Sequence, residues 1–131
     1  MTRQRRVALV SEHASPLATL GGADAGGQNV HVASLAFELG LLGCDVTVFT
    51  RRDAAELPER MGLAPNVELH HVDAGPARPI PKDDMFRHMT AFARGLRRRW
   101  SERRSDRCAA SWSTAAATAA GVTRSRQSCR G

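Results

Sequence analysis

The fold is decided by residues 7–50, which read VALVSEHASPLATLGGADAGGQNVHVASLAFELGLLGCDVTVFT. The run Val7–Ser11 is short and almost wholly apolar, which predicts a strand buried on both faces of a sheet. Beyond a glycine-rich loop, apolar residues recur at helical spacing, and Gly43 stands where a left-handed residue would end that helix. A second β-rich run, Val46–Thr50, completes a strand–helix–strand unit, and a right-handed crossover sets its two strands parallel. The apolar helical positions are Val32, Leu35, Ala36, Leu39 and Leu42.

Two further elements follow this unit. Residues Val67–Val72 (VELHHV) predict a third strand, and a second amphipathic helix comes after it. Asp83 or Asp84 is available to cap the start of that helix. The order β-α-β-β-α predicts an α/β fold with a Rossmann-like parallel sheet, the opening part of a doubly wound domain. The apolar positions of the second helix are Met85, Met89, Phe92, Leu96 and Trp100.

The composition of the chain changes after Trp100. Residues 101–131 contain no Leu, Ile, Phe or Met and a single valine, Val122, in a mixture dominated by Ala, Ser, Arg and Thr. Such a segment buries too little apolar area to offset the roughly 1–2 kcal/mol per residue that fixing a backbone costs. We therefore predict a partial Rossmann-like domain at residues 1–100 and a disordered basic tail at residues 101–131. Two interpretations of the tail stay open: a natural basic linker, or out-of-frame translation of a GC-rich gene, which we favour.

Composition limits the classes of protein to which the chain can belong. Its 131 residues have room for one domain of ordinary size. No stretch approaches the roughly 20 apolar residues that span a membrane. The apolar run behind the basic N-terminus is too short for a signal-peptide core, so we expect a cytoplasmic protein. Cys44, Cys108 and Cys129 are odd in number and lack metal-like spacing, which supports neither a disulfide framework nor a zinc site.

The net charge of +6 is concentrated in the tail. Residues 1–100 hold 13 Lys and Arg against 11 Asp and Glu, whereas residues 101–131 hold six Arg against Glu102 and Asp106. A nucleic-acid binder acting through 94–107 and 124–130 is the weakest functional hypothesis, because Trp112 is the only aromatic residue of the tail. We expect no specific nucleic-acid partner.

The loop between the first strand and the first helix carries the candidate chemistry. In an open parallel sheet, ligands bind beyond the C-terminal ends of the strands, where this loop lies. Residues Gly21–Asn29 (GGADAGGQN) lead directly into the helix, so its first N–H groups and the positive end of its dipole favour a phosphate. The spacing matches neither GxGxxG nor a P-loop, and a flexible glycine-rich turn explains it equally well.

Several motifs occur together and in order over about residues 5–100. They resemble the N-terminal, acceptor-side domain of the family-4 glycosyltransferases of GT-B type. Within that family, the likeness is to the branch of the inositol-phosphate glycosyltransferases of mycothiol synthesis and the sucrose-phosphate synthases. We expect a chain that is truncated or frameshifted after about residue 100. The motifs are His-x-Ser-Pro at 13–16, Asp-x-Gly-Gly-x-Asn at 24–29, Thr-Arg-Arg-Asp at 50–53, and Gly-Pro followed by Pro-Lys-Asp within 75–83.

The resemblance implies roles for residues in these motifs. His13 matches a histidine that ends the first strand and faces the acceptor. Lys82 matches a lysine that holds the acceptor phosphate in the inositol-phosphate branch. Gly27 is implied to lie close to the donor diphosphate as well, and no residue is assigned to catalysis or to a metal. The residues implied to cradle the acceptor are Asp24, Ala25, Gly26, Gly27, Gln28 and Asn29.

Each of these residues also has a purely structural interpretation. A lone histidine such as His13 is more often a satisfied turn residue than a ligand. Asp24 can bond to its own turn backbone. Lys82 beside Asp83 and Asp84 can form a solvated ion pair worth about 0–1 kcal/mol. The remaining histidines of the ordered part, which we interpret as packing residues or assign no role, are His31, His70 and His71.

The resemblance also implies a reaction. The full-length family transfers a glycosyl unit, with retention of anomeric configuration, from a nucleotide diphosphate sugar to a sugar phosphate or polyol phosphate. We expect the donor to be a UDP- or GDP-sugar and no metal or other cofactor to be required. The segment supplies acceptor orientation and part of the charge compensation for the departing diphosphate, so we expect it to be inactive alone. The alternative hypothesis is a non-catalytic module that binds sugar phosphates or nucleotides.

Overall fold

The computed structural model describes residues 4–17 and 26–117, with side chains as far as Arg103. The chain divides into two compact units, Met1–Leu96 and Arg97–Gly131. The described elements are strands β1 (Arg6–Val10), β2 (Asp45–Arg51), β3 (Arg60–Ala64) and β4 (Val67–Val72), and helices α1 (Gly27–Leu41), α2 (Lys82–Met85) and α3 (Met89–Ala117), with a 3-10 turn at Phe86–His88.

The described strands form one four-stranded sheet in the order β1-β2-β4-β3. Strands β1, β2 and β4 are parallel, as the sequence predicts, but β3 pairs antiparallel with β4, so the sheet is mixed. A tight turn joins β3 to β4, with Asn66 at a φ of 63°. Strand β3 was not predicted, because its sequence RMGLA is short, contains Gly62 and alternates only weakly between buried and exposed positions.

Helix α1 packs on one face of the sheet and ends at Leu41, close to the predicted end at Gly43, but Leu42, which the sequence places on the apolar stripe, is 79% exposed. Gly43 has a φ of 80°, which confirms the predicted left-handed residue after the helix end. The alternation of side chains along a strand directs the odd-numbered residues of β4 and the even-numbered residues of β2 toward this face. The fully buried cluster there comprises Ala36, Val46, Val48, Val67 and Leu69.

The opposite face of the sheet is covered by the early part of α3. Phe49 and His70 lie on this face with their ring centroids 5.3 Å apart in an edge-to-face arrangement. A Cβ atom added to Gly95 would lie 2.4 Å from Cγ1 of Val72, so the backbone of α3 approaches β4 closely here. Helices on both faces of a largely parallel sheet give the Rossmann-like layering that the sequence predicts.

The second predicted helix differs from the structure at both ends. It is divided into α2, the 3-10 turn and α3, and Asp83 and Asp84 lie within the first turn of α2 instead of capping it. The N-cap is Pro81. In the first turn, the two carboxylates instead interact favourably with the positive end of the helix dipole. Helix α3 continues to Ala117, where the sequence predicts disorder from residue 101. Alanine and arginine are strong helix formers, and 101–117 contains neither glycine nor proline. The rest of that prediction, at 118–131, lies outside the described residues.

Candidate functional site

The candidate site lies where the parallel strands β1, β2 and β4 end, which we call the carboxyl edge. The chain leaves β1 there in residues 11–17, the β1 loop. The backbone N–H of Ser11 donates to the Phe49 carbonyl at 2.9 Å, and the Arg51 N–H donates to the Glu12 carbonyl at 3.2 Å. The Ser11 hydroxyl donates to the Ala14 carbonyl at 2.8 Å. The start of the β1 loop is therefore tied to the end of β2.

Two ionisable side chains of the β1 loop form a pair. Nδ1 of His13 lies 2.9 Å from Oε1 of Glu12, and the two side chains keep 17% and 33% of their surface exposed. Burial raises the pKa of the Glu12 carboxyl. A bond from its own backbone N–H, the hydrogen bond and charge of His13, and the charge of Lys82 outweigh burial, so that this pKa lies below its ordinary value of 4.5. Lys82 is thus close enough to the pair to act on it electrostatically.

The start of α1 is joined to the β1 loop through Asn29. This side chain is 3% exposed. Its Nδ2 donates to the Ser15 carbonyl at 2.8 Å, and its Oδ1 accepts the Gly26 N–H at 3.3 Å. Both ends of the amide therefore bond to the protein, and Asn29 holds the loop against the helix. Its acceptor-binding role stays a prediction.

The two glycines at the start of α1 face open space. Gly26 and Gly27 are exposed, and among the described residues a Cβ atom added to either would meet no heavy atom within 4 Å beyond its chain neighbours and its own helix backbone. Gln28 is also exposed. The first N–H groups of a helix have no partner within that helix, so this end of α1 offers donors to a guest. The predictions for Asp24 and Ala25 lie outside the described residues.

Lys82 begins α2 and is exposed to solvent. It follows Pro81, whose carbonyl accepts the Asp84 N–H at 3.0 Å. Asp84 also pairs with Arg87 at 3.3 Å, so one of the two carboxylates beside the lysine has its own cationic neighbour. Lys82 thus lies at the start of a short helix, and its charge is one of those that lower the pKa of Glu12 in the β1 loop.

The β1 loop contains His13 and is linked to two other parts of the predicted site within the described ranges. It bonds to the start of α1 through Asn29 and interacts with Lys82 through Glu12. Sequence reasoning missed one residue at this edge, Arg51, which is 4% exposed. The Thr-Arg-Arg-Asp motif contains it, but an arginine at a strand end is normally read as a solvent-exposed residue.

Two properties of the described part of the chain bear on other classes of site. Within residues 4–17 and 26–117, no three His, Cys, Asp or Glu side chains are grouped so as to hold a metal ion. Over the same residues, no helix combines the length and apolar character needed to cross a bilayer.

The fold and the carboxyl edge define a Rossmann-like α/β protein with an open polar site beyond its parallel strands. Residues 25–128 match Glycosyltransferase Family 4, and the chain belongs to that family. This match extends over most of 101–131, the segment that the sequence analysis sets apart as a tail. The origin of that segment stays a prediction.

Individual relatives agree with the family. The chain is 47% identical over 94 residues to D-inositol 3-phosphate glycosyltransferase of Acidothermus cellulolyticus, covering 72% of the chain and 21% of that protein. It is 47% identical over 92 residues to the protein of the same name from Kineococcus radiotolerans, covering 70% of the chain and 21% of that protein. Sucrose-phosphate synthase of Thermosynechococcus elongatus superposes with a TM-score of 0.71 at 31% identity, over 76% of the chain and 25% of that structure. These matches confirm the resemblance, and the chain spans about a fifth of the length of the curated relatives.

Proposed function

We propose that the chain forms the acceptor-binding side of a retaining, nucleotide-sugar-dependent glycosyltransferase whose acceptor is a sugar phosphate or polyol phosphate. The observation that carries the proposal is the bond through which Asn29 joins the β1 loop to the exposed start of α1, beside the Glu12 carboxyl whose pKa the charge of Lys82 helps to lower. The names of the relatives support a phosphorylated acceptor, since they are D-inositol 3-phosphate glycosyltransferases.

The site offers distinct partners to the two parts of such an acceptor. The ammonium of Lys82 and the N–H groups that open α1 are donors suited to a phosphate. Glu12 engages Nδ1 of His13, which leaves Nε2 as the ring atom available to an acceptor hydroxyl. The open space beside Gly27 permits close approach of a donor diphosphate, which we expect to belong to a UDP- or GDP-sugar.

Affinity for phosphorylated and unphosphorylated ligands tests the proposal. By calorimetry, the 131-residue chain should bind D-inositol 3-phosphate more tightly than inositol, because only the former engages Lys82. Lys82→Ala should weaken phosphate binding at least about tenfold, since a charge-assisted hydrogen bond contributes about 1.5–3 kcal/mol. Arg87→Ala removes a neighbouring exposed cation and should bind as the wild type does. Equal affinity for both ligands, or equal losses in both variants, would contradict the proposal.

We propose further that these 131 residues do not transfer sugar by themselves. They correspond to about a fifth of the length of the glycosyltransferase relatives, and the proposed site accounts only for the acceptor. Incubating the chain with a UDP- or GDP-sugar and D-inositol 3-phosphate should yield no glycosylated product by mass spectrometry. Detected product would overturn this part. If the chain binds the ligand, and longer forms of the protein also bind it without transferring sugar, the result would favour the alternative, a non-catalytic binding module.

A further inference from the structure

Arg51, the last residue of β2, is buried among backbone carbonyls. One terminal nitrogen, Nη1, donates to the carbonyls of Arg52 at 3.1 Å, Ala74 at 3.4 Å and Pro76 at 2.6 Å. The other, Nη2, donates to the carbonyl of Arg78 at 2.6 Å. Three of the four acceptors thus lie in 73–81, which we call the β4 loop because it follows β4.

Burying the Arg51 guanidinium among carbonyls costs free energy, so we look for its contribution in the positions of the groups that it binds. Burial lowers the pKa of Arg51, and the charge of Asp53 opposes that change. A guanidinium stays protonated in proteins and presents five N–H donors in a fixed planar fork. A buried cation that faces carbonyl dipoles is more expensive than an apolar side chain of similar size. The planar guanidinium instead restrains the β4 loop, because it fixes three of its carbonyls relative to the end of β2.

The same residue also contacts the β1 loop. Its backbone N–H donates to the Glu12 carbonyl at 3.2 Å, next to the pair that Glu12 forms with His13. Arg51 therefore bonds to the β1 loop through its main chain and to the β4 loop through its side chain. The β1 loop carries His13, and the β4 loop leads directly to Lys82.

The chain between the last Arg51 contact and Lys82 is stiff. Residues 79–81 read Pro-Ile-Pro, and each proline fixes its own φ and restricts the residue before it. The position of the Arg78 carbonyl is therefore transmitted to Lys82 with little rotational freedom. The Asp84 N–H bond to the Pro81 carbonyl then turns the chain into α2.

We infer that Arg51 is a positioning residue that fixes the β4 loop and thereby sets Lys82 at the distance from the β1 loop that a phosphorylated acceptor requires. The inference rests on the proposed function for the ligand of Lys82. Its structural half, the restraint of the β4 loop, does not depend on any ligand.

The Arg51→Lys variant tests separately the restraint of the β4 loop and the effect of that restraint on ligand binding by Lys82. Lysine retains the charge but presents a single ammonium, which cannot span the carbonyls of Ala74, Pro76 and Arg78 together. Without ligand, hydrogen exchange of the β4 loop amides should accelerate at least about tenfold, while exchange in β2 and β4 changes little. In calorimetry, affinity for D-inositol 3-phosphate should fall at least about tenfold, and affinity for inositol should change less than about twofold. General destabilisation would weaken both ligands equally.

Two further variants complete the experiment. Arg87→Lys makes the same chemical change at an exposed arginine and should alter neither exchange nor affinity. Pro79→Gly leaves the Arg51 contacts in place but loosens the connection to Lys82, so phosphate affinity should fall about threefold or more with β2 exchange unchanged. This variant decides the question if Arg51→Lys does not fold.

The outcomes distinguish the inference from the proposed function. Failure of the wild-type chain to bind D-inositol 3-phosphate would overturn the proposed function. Unchanged β4 loop exchange in folded Arg51→Lys would overturn the inference, whether or not the ligand binds. Wild-type phosphate affinity in Pro79→Gly would also overturn it, because the stiff connection would then have no effect.

Discussion

The two loops that meet at the carboxyl edge are held by different chemistry. The β1 loop is held by neutral groups, the Ser11 hydroxyl and the Asn29 amide, each of which makes one or two hydrogen bonds. The β4 loop is held by one cation, Arg51, which donates to three of its carbonyls. Removing one of several neutral groups leaves the bonds of the others in place, whereas removing a shared anchor releases three carbonyls at once. The comparison predicts a β1 loop that adapts to a guest and a β4 loop that is preset.

Glycines in the two regions show the same contrast. Gly75, in the β4 loop, has a φ of 75°, and a Cβ atom there would lie 2.6 Å from Nδ1 of His88. At the start of α1, a Cβ atom added to Gly26 or Gly27 would contact no other part of the described chain within 4 Å. One substitution, glycine to alanine, therefore tests both regions.

The largest effect is expected for Gly75→Ala. A left-handed backbone costs a non-glycine residue about 1–2 kcal/mol, and overlap with a packed side chain costs about 1–3 kcal/mol more. We expect the free energy of unfolding to fall by about 3 kcal/mol in urea denaturation. Gly62→Ala, at an exposed position where an added Cβ atom meets nothing within 4 Å, is the matched control and should change stability by less than about 1 kcal/mol. Equal losses in the two variants would mean that the β4 loop is not preset.

A smaller loss is expected for Asn29→Ala, which removes the amide that joins α1 to the β1 loop. The Ser15 carbonyl and the Gly26 N–H would lose a partner at a site where the side chain is 3% exposed. Leaving buried polar groups unpaired costs about 1–3 kcal/mol, so we expect a loss of about 2 kcal/mol by thermal or urea denaturation. Gln28→Ala, on the exposed neighbour, should change stability by less than about 0.5 kcal/mol. A loss below that limit in Asn29→Ala would show that water replaces the amide.

Much of the fold could be predicted from local patterns. Each pattern reflects the burial of the element that carries it: the apolar run of β1, the helical spacing of α1, and the β-branched residues of β2 and β4. Strand β3 escaped prediction because RMGLA is stabilised by pairing with β4 and carries little pattern of its own. The length of α3 was misjudged because low apolar content argued for disorder while alanine and arginine favour helix.

The site was predicted less completely than the fold, for a physical reason. The topology of a parallel sheet fixes where its strands end, so His13 and the start of α1 could be placed at one edge from sequence. The roles of Asn29 and Arg51 depend on carbonyls 14 to 27 positions away along the chain. Backbone carbonyls carry no residue identity, so no sequence pattern records that a side chain has them as partners.

Gly27→Ala should alter ligand affinity without a loss of stability. The added methyl group meets no protein atom, and alanine is the better helix former, so stability should stay within about 0.5 kcal/mol or rise slightly. If a phosphate approaches the backbone there, the methyl group should weaken binding of D-inositol 3-phosphate or of a nucleoside diphosphate about tenfold by calorimetry. The matched control is Gly26→Ala, which adds the same methyl group one residue before Gly27. Unchanged affinity in Gly27→Ala would place the guest away from the start of α1.

The smallest effect concerns the Glu12 carboxylate and pH. Its pKa in the folded chain lies below the ordinary value of 4.5, so its ionised form stabilises the fold. That contribution is complete above about pH 4.5 and is lost as the pH falls through the lower, folded pKa. With the carboxylate one-third exposed, we expect it to be below about 1 kcal/mol. The stability difference between wild type and Glu12→Gln should therefore shrink between about pH 6 and pH 3. Glu38→Gln, on the exposed face of α1, controls for loss of one negative charge. A Glu12→Gln difference that stays constant over this range would mean that the Glu12 carboxylate adds no stability, and that the β1 loop is held by its neutral bonds alone.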